Sequence, residues 1–165
     1  MFFSYSDILN IEEKKLLLSW MPKRPKKATL LLNSNKDGDS IKVVEEKCKN
    51  KYPTLVVIMT TKGNKFGGYT TQEWKKGVNK DTEAFVFSLD KKKKYKILNP
   101  INATYLDSWW GFGPYENAIV IYDKCTNQNS NYVGNGTYDI KEVSELNGKE
   151  NNFTVKSFEI YLIEN

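Results

Sequence analysis

The stretch Pro53–Trp74, PTLVVIMTTKGNKFGGYTTQEW, constrains the fold of this chain more than any other. It opens with a run of apolar and β-branched residues, Leu55–Thr60, whose composition is typical of a strand buried on both faces. Gly63 and Asn64 then favour a turn, and a second strand is expected from Lys65 onwards. The stretch therefore predicts a β-hairpin at the centre of a β-rich domain.

Two adjacent glycines, Gly67 and Gly68, fall in the middle of the second strand of this hairpin. Glycine weakens a strand, and it occurs there mainly at a bulge or where another backbone or a bulky ring lies close. Tyr69 and Trp74 are the nearby rings that could take up this space. The glycine pair is therefore predicted to be structural.

The composition limits the chemistry. The 165 residues suffice for one domain with a sizeable core, and a hydrophobic content of 39% lies above the disordered range. The chain has no histidine, and its two cysteines, Cys48 and Cys125, form no CxxC motif. These counts argue against a zinc site or a histidine base, and no cofactor is expected. Two lone thiols are typical of a protein from a reducing compartment, and a disulfide between Cys48 and Cys125 is the alternative.

The first residues, MFFSYSDILNIEEKK, lack the basic and apolar regions of a signal peptide. No apolar run approaches the length that spans a membrane, so no membrane insertion is expected. A cytoplasmic protein is therefore expected, with the nucleus as the alternative compartment.

The net charge of +5 conceals a gradient along the chain. Residues 1–98 hold 21 Lys and Arg against 11 Asp and Glu, whereas residues 99–165 hold 4 against 9. Two basic segments in the first part are candidates for contact with an anion or a nucleic acid. Their basic residues are Lys23, Arg24, Lys26, Lys27, Lys91, Lys92, Lys93 and Lys94. The simpler interpretation is a solvated linker and the tip of a hairpin.

Two helices are predicted in the first third of the chain. Asn10 and Glu13 form a capping box for a helix over Ile11–Trp20. Ser40 is placed to cap a second helix over Ile41–Lys49.

The polar segment NSNKDGDS, just before the second helix, has the start of a calcium-loop pattern. Position twelve of an EF-hand loop requires a glutamate, but that position is Val44 here. A polar turn with Gly38 is the better interpretation, and no metal site is predicted. On the second helix, Cys48 shares a face with Ile41 and Val44, which predicts a core residue rather than a reactive thiol.

Further strands are predicted along the chain, at Ala28–Leu32, Ala84–Leu89, Tyr95–Leu98, Ala118–Tyr122 and Phe153–Ile163. The alternation slips near Ser157, which suggests a bulge, and Trp74–Thr82 is predicted to be a loop. Frequent strands with early helices indicate a two-layer α+β or sandwich domain. In this division, residues 1–27 form an N-terminal helix and basic connector, packed on a main domain of residues 28–165.

Several short segments occur in a characteristic order between Thr29 and Ile163: LLLNSNKDGDS, EEKCKNKYPTLVVI, KFGGYTTQEW, AFVFSL, WGFGPYENAIVIY, NGTYD and FEIYL. Together they resemble the TLDc domain family, and the chain looks like a stand-alone member. The positions that match the family signature are expected to be structural. They are Asp37, Gly38, Phe66, Gly67, Gly68, Tyr69, Trp74, Phe85, Phe87, Gly111, Gly113 and Glu159.

The resemblance implies a two-layer antiparallel β-sandwich with a few flanking helices. Members of the family are linked to protection against oxidative stress, and several regulate the vacuolar proton ATPase by binding it. No established catalytic mechanism comes with the fold. The first hypothesis is therefore a non-enzymatic interaction module whose protein partner, by resemblance, is the vacuolar proton ATPase.

Two other classes of function stay open. The basic first part of the chain could bind nucleic acid as a DNA-binding regulatory protein, although no helix-turn-helix signature is present. Alternatively, an enzyme could use the carboxylates of Asp37, Glu116 or Glu159. For Asp37 the simpler interpretation is turn chemistry, and for Glu159 it is a charge on the outer face of the last strand.

A second cluster of aromatic residues and glycines, Trp109–Gly113, is the best candidate for a partner-binding surface. Adjacent residues of an extended segment point to opposite sides, so one tryptophan should pack inward while the other stays partly exposed. Tryptophan is also enriched at binding hot spots. The candidate contacts, with two acids that would orient a basic partner, are Trp109, Trp110, Phe112, Asp107 and Glu116.

Overall fold

The computed structural model describes residues 2–165 and contains two packed β-sheets with three helices. The strands are β1 (Phe2–Phe3), β2 (Lys27–Asn33), β3 (Thr54–Thr60), β4 (Lys65–Thr70), β5 (Gly77–Asn79), β6 (Phe85–Ser88), β7 (Lys93–Lys96), β8 (Thr104–Leu106), β9 (Trp109–Phe112), β10 (Ile119–Tyr122), β11 (Asn131–Val133), β12 (Asn152–Phe153) and β13 (Val155–Glu164). The helices are α1 (Ile11–Trp20), α2 (Ser34–Asp37) and α3 (Ile41–Cys48). The predicted α+β antiparallel sandwich is confirmed.

The first sheet has the strand order β1-β2-β13-β3-β4-β6-β7, and the second has the order β12-β11-β10-β9-β8-β5. Neighbouring strands are antiparallel except for β1 and β2, which run parallel. The final strand, β13, lies between β2 and β3, so the end of the chain completes the centre of the first sheet. Folding of this sheet therefore needs contacts between the two ends of the sequence.

The main core lies between the two sheets and is dominated by large aromatic side chains. Trp74 meets both Trp110 and Phe112 edge to face, at ring-centroid distances of 5.7 and 5.4 Å. Trp74 also donates its indole N–H to the Thr54 hydroxyl at 3.0 Å, so its polar atom is satisfied inside the core. These contacts join the loop after β4 to the second sheet.

The glycine pair is in an unbroken antiparallel register, with Gly68 opposite Val56 and Gly67 opposite Val57, so no bulge is present there. The alternative prediction, close approach of a ring, is confirmed. The rings are those of Phe112 and Phe87, and not those of Tyr69 and Trp74. Tyr69 instead stacks on Phe85 on the outer side of the first sheet.

Helix α1 covers the outer face of the first sheet and forms a second apolar cluster with it. Its predicted capping box is confirmed, since Asn10 and Glu13 exchange side-chain-to-backbone hydrogen bonds. Lys65 ties the start of the helix to β4, donating to the Ile8 carbonyl at 2.7 Å and pairing with Glu13 at 2.9 Å. Leu17 is fully buried between helix and sheet.

Several boundaries differ from the sequence-based expectation. The segment Trp74–Thr82, predicted as a loop, contains the short strand β5. The strand predicted at Tyr95–Leu98 is shifted to Lys93–Lys96, because the lysine run continues into the strand. The bulge near Ser157 is confirmed by a register shift between Val155 and Ser157. Within residues 2–165, no helix is long and apolar enough to cross a membrane.

Candidate functional site

The outer face of the second sheet carries four aromatic side chains, one from each of four successive strands. They are Tyr105, Trp109, Tyr122 and Tyr132, on β8, β9, β10 and β11, and we refer to them as the aromatic face. Each is partly exposed to solvent. Tyr122 lies directly opposite Trp109 across the β9–β10 pair. The four rings therefore form a band that crosses the strands.

The two adjacent tryptophans face opposite sides of β9, as predicted. Trp110 is fully buried between the sheets, where its ring lies 5.2 Å from that of Phe158. Trp109 points outward and packs against Tyr105 at 4.5 Å between ring centroids. Phe112 is also fully buried. Trp110 and Phe112, which we expected among the partner contacts, present no surface and are core residues.

Gly111 lies beside the indole of Trp109 at a position where the backbone admits only glycine. Its φ of +147° and an approach of 2.1 Å between an added Cβ and the Ile119 carbonyl both exclude a side chain there. Such a Cβ would lie 3.6 Å from the Trp109 ring, so the ring lies beside the bare backbone. Val120, opposite Gly111 in the register, is fully buried although it belongs to this outer face. The aromatic rings thus shield the sheet surface beneath them.

Beside Tyr122 and Tyr132 the aromatic face opens into a groove of about 550 Å³. Its remaining lining is made of hydroxyl and amide side chains and one carboxylate: Ser108, Asp123, Gln128, Ser130 and Asn152. Asp123 is therefore the only charged side chain of the groove. Its Oδ1 atom accepts the backbone N–H of Ile41 at 2.8 Å, which fixes the orientation of the carboxylate.

The two acidic residues expected beside the tryptophans lie at opposite ends of β9. The exposed Asp107 forms the turn before β9, where its N–H donates to the Trp109 carbonyl at 2.9 Å. Glu116 lies in the turn after β9, and its Oε2 accepts the Thr137 N–H at 3.3 Å. Only Asp107 therefore accompanies Trp109. Tyr105, Tyr122 and Tyr132 were not predicted as site residues, because only strand register brings them to this face, and Asp123, directly after β10, was not predicted either.

The two basic segments lie along the first sheet, and the residue before the first segment contacts the second. Lys94 donates to the Trp20 carbonyl at the end of α1, at 3.2 Å, and its Nζ lies 4.8 Å from the centre of the Phe85 ring. The start of the connector therefore lies near the lysine run, whereas the end of the connector, Lys27, lies on β2 at the other side of the first sheet from β7. All eight basic side chains of the two segments are exposed. Lys93 alone among them pairs with a carboxylate, that of Glu145 at 3.5 Å.

Both cysteines are free and fully buried. Burial raises the pKa of the Cys48 thiol to about 12. Burial, reinforced by the negative charge of Asp39, raises the pKa of Cys125 to about 12 as well. The predicted core position of Cys48 on the inner face of α3 is confirmed.

Glu159 lies on the outer face of β13, as expected, but it is fully buried rather than exposed. Its carboxylate accepts the Ser6 hydroxyl at 2.6 Å and the Asp7 N–H at 2.7 Å, and the Tyr161 hydroxyl lies 3.2 Å away. Burial raises the pKa of Glu159 above its ordinary value of 4.5, and the hydrogen bonds from Ser6 and Asp7 oppose that shift. The N-terminal segment covers a position that would otherwise face solvent.

The other candidate carboxylates also serve local structure. Asp37 Oδ2 accepts the Asn33 N–H at 2.9 Å, and Oδ1 lies 3.6 Å from the Lys47 ammonium group. The polar turn that we expected here is one turn of helix, α2, which ends at Gly38. Asn33 is also the register partner of Glu159, so the fold brings Asp37 and Glu159 to the same region and leaves Glu116 elsewhere.

The remaining signature positions are distributed through the two apolar clusters. Phe66 and Trp74 belong to the core between the sheets, while Tyr69, Phe85 and Phe87 belong to the cluster under α1. Gly38 and Gly113 both adopt positive φ, at +94° and +77°. Gly113 is also close-packed, since an added Cβ would lie 3.0 Å from the Thr137 side chain.

The fold and site define a β-sandwich domain whose second sheet presents a band of aromatic side chains. Across residues 2–165 no group of His, Cys, Asp or Glu is arranged to hold a metal ion. The family model for the TLDc domain matches residues 2–164, which is nearly the whole chain. The protein therefore belongs to the TLDc domain family. Comparison with curated proteins gives no significant match.

Proposed function

We propose that this protein is a non-enzymatic interaction module that acts through a protein partner in the response to oxidative stress. The vacuolar proton ATPase is the partner suggested by the resemblance to other TLDc proteins. In this proposal the domain contributes a shaped surface rather than a reactive group.

The observation that carries the proposal is the aromatic face. Tyrosine and tryptophan are enriched at protein interfaces, because they supply large contact areas with a polar group at one end. Trp109 and Tyr122 are partly exposed on a regular sheet. The neighbouring Trp110 already fills the core beneath β9, where it packs against Phe158. A binding role accounts for a second tryptophan on the outer side of β9.

The environments of the reactive groups also support the proposal. A thiol attacks peroxide as the thiolate, so a pKa of about 12 at Cys48 and Cys125 opposes direct scavenging. The Glu159 carboxylate is enclosed and accepts hydrogen bonds from the N-terminal segment. These groups serve the stability of the domain, which leaves the surface to carry the function.

Affinity capture with the intact chain tests the proposal. The purified protein, immobilised through a tag, is incubated with extracts of its source cell prepared under resting and oxidising conditions. We expect subunits of the vacuolar proton ATPase among the captured proteins, and we expect direct binding to the purified ATPase. Absence of ATPase subunits under both conditions, together with no binding to the purified enzyme, would contradict the proposal.

A nucleic-acid-binding role is the second candidate, and the contact between Lys94 and Trp20 favours it. This contact places the start of the connector near the Lys91–Lys94 segment, so exposed basic side chains lie on a surface beside the end of α1. Such a surface would bind the phosphate backbone through release of counterions, without reading base sequence. A DNA-binding regulatory protein would additionally need to contact base edges.

A further inference from the structure

We propose that the aromatic face binds an extended peptide segment that presents arginine side chains. This inference rests on the proposed function, because it specifies the surface and the partner chemistry of the interaction module. It requires that the partner, whatever its identity, carries such a segment at the point of contact.

The dimensions of the aromatic face suit an extended chain. The four rings come from four neighbouring strands, which are spaced about 4.8 Å apart, so the band is roughly 14 Å long. An extended peptide advances about 3.3 Å per residue, so roughly four residues would cross it. The groove beside Tyr122 and Tyr132 continues the band towards β12 and can take the adjoining residues.

The charges around this face favour a cationic occupant. Of the groove-lining side chains only Asp123 is charged, and no lysine or arginine lines the groove. Asp107 adds a second exposed carboxylate at the same end of β9 as Trp109. An anionic ligand would meet these carboxylates with no balancing cation in the groove, whereas a cationic side chain would gain from both.

The geometry distinguishes arginine from lysine. A guanidinium group is planar, stacks on aromatic rings and donates two parallel hydrogen bonds to one carboxylate. The Trp109 and Tyr105 rings, 4.5 Å apart, offer an aromatic surface of this kind. Asp123 is held in place by the Ile41 N–H on Oδ1, so Oδ2 is oriented before a ligand arrives. The ammonium group of lysine could use the charge of Asp123 and lie over a ring, but it lacks the planar surface that stacks on one.

Selection from a library of short random peptides, displayed on phage and presented to the intact protein, tests this inference. Binders are counter-selected against W109A, and Tyr115→Ala serves as the matched control because Tyr115 is an aromatic side chain that is 80% exposed outside this face. We expect enriched peptides to contain arginine, to bind Y115A as they bind the parent, and to lose binding to W109A. Replacing arginine by lysine in a selected peptide, or Asp123 by Asn in the protein, should weaken binding roughly tenfold.

Other occupants of the face would give different results. Failure to enrich any peptide, enrichment of acidic peptides, or equal binding to W109A and the parent would overturn the inference. So would binding of single-stranded DNA, or self-association of the protein, that is lost in W109A. If W109A and D123N bind the purified ATPase as the parent does, the partner surface lies elsewhere although the proposed function stands. If the parent itself does not bind the ATPase, the proposed partner is wrong whatever the peptides show.

Discussion

The ring of Phe112 in the second sheet lies against the backbone of Gly68 in the first. A Cβ added to Gly68 would come within 2.4 Å of the ring, well inside van der Waals contact. Phe112 in turn meets Trp74 edge to face. The absence of a side chain at Gly68 therefore leaves the space that the Phe112 ring fills. This contact limits how closely the two sheets approach each other.

Substitution of Gly68 should destabilise the domain through overpacking. We expect Gly68→Val to lower the free energy of unfolding by about 1–3 kcal/mol, measured by urea denaturation. Phe112→Leu in the same chain should recover part of this loss, because the smaller side chain vacates the space. A G68V protein that is as stable as the parent, or strictly additive effects of G68V and F112L, would show that this contact is not tight.

The sequence was informative where a local pattern decides the structure. The capping box at Asn10 and the β3–β4 hairpin are set by neighbouring residues, and both were predicted. The ring facing Gly68 could not be predicted, because Phe112 lies far along the chain and reaches Gly68 only when the sheets stack. Strand β5 was missed for a related reason, since its three residues are held by pairing with β8 rather than by their own composition.

The candidate site was predicted only in part for the same physical reason. Alternation along β9 correctly separated Trp109 from Trp110. Alternation cannot tell which strands are neighbours, so the rings of Tyr105, Tyr122 and Tyr132 could not be grouped with Trp109. The burial of Glu159 was not predicted, because an N-terminal segment, remote in sequence, covers the outer face of β13.

The thiols should be inert in the native protein. With the pKa of Cys48 and of Cys125 raised to about 12 by burial, almost no thiolate exists at neutral pH. We expect negligible consumption of peroxide by the parent and by the C48A/C125A variant alike. A thiol-labelling reagent should modify the parent only after denaturation in guanidinium. Rapid thiol-dependent loss of peroxide with the native protein would contradict this prediction.

Glu159 should make the stability of the domain depend on pH. Because burial raises its folded-state pKa above 4.5, the folded protein holds this proton more tightly than the unfolded chain. This tighter proton binding stabilises the folded protein fully below pH 4.5, and the stabilisation is lost as the pH rises through the folded-state pKa of Glu159. The free energy of unfolding of the parent, minus that of Glu159→Gln, should therefore decrease over this range.

Asp7 gives a contrast to Glu159. Hydrogen bonds, chiefly from the Tyr5 hydroxyl and then from Asn33, lower the pKa of Asp7 below its ordinary value of 3.8. The stabilisation from ionised Asp7 is therefore lost only as the pH falls below 3.8, whereas that from Glu159 is lost as the pH rises above 4.5. Denaturation curves of the parent and E159Q, collected across both ranges, separate the two groups. A difference between the proteins that is constant above pH 4.5 would contradict the role of Glu159.

Binding to DNA should be electrostatic and without preference for sequence. We expect the affinity for any duplex to fall steeply as salt rises, and Lys91→Gln with Lys92→Gln to reduce the salt dependence by about two phosphate contacts. Lys75→Gln with Lys76→Gln, a pair of exposed lysines before β5, is the matched control and should have little effect. In a competition shift assay, one duplex that stays bound against excess unrelated DNA would instead support a sequence-specific regulator.

Binding of a protein partner through Trp109 is tested by the paired substitutions Trp109→Ala and Trp110→Ala, with thermal melting and binding to the captured partner measured on each protein. Trp110 is fully buried, so its loss should cost roughly 3–5 kcal/mol and unfold the domain or lower its melting temperature sharply. Trp109 packs on the outer face and is partly exposed, so W109A should stay folded with a much smaller loss of stability than W110A and lose the partner, while Y115A keeps both properties. A W109A protein that is folded and binds the partner with unchanged affinity would contradict the account.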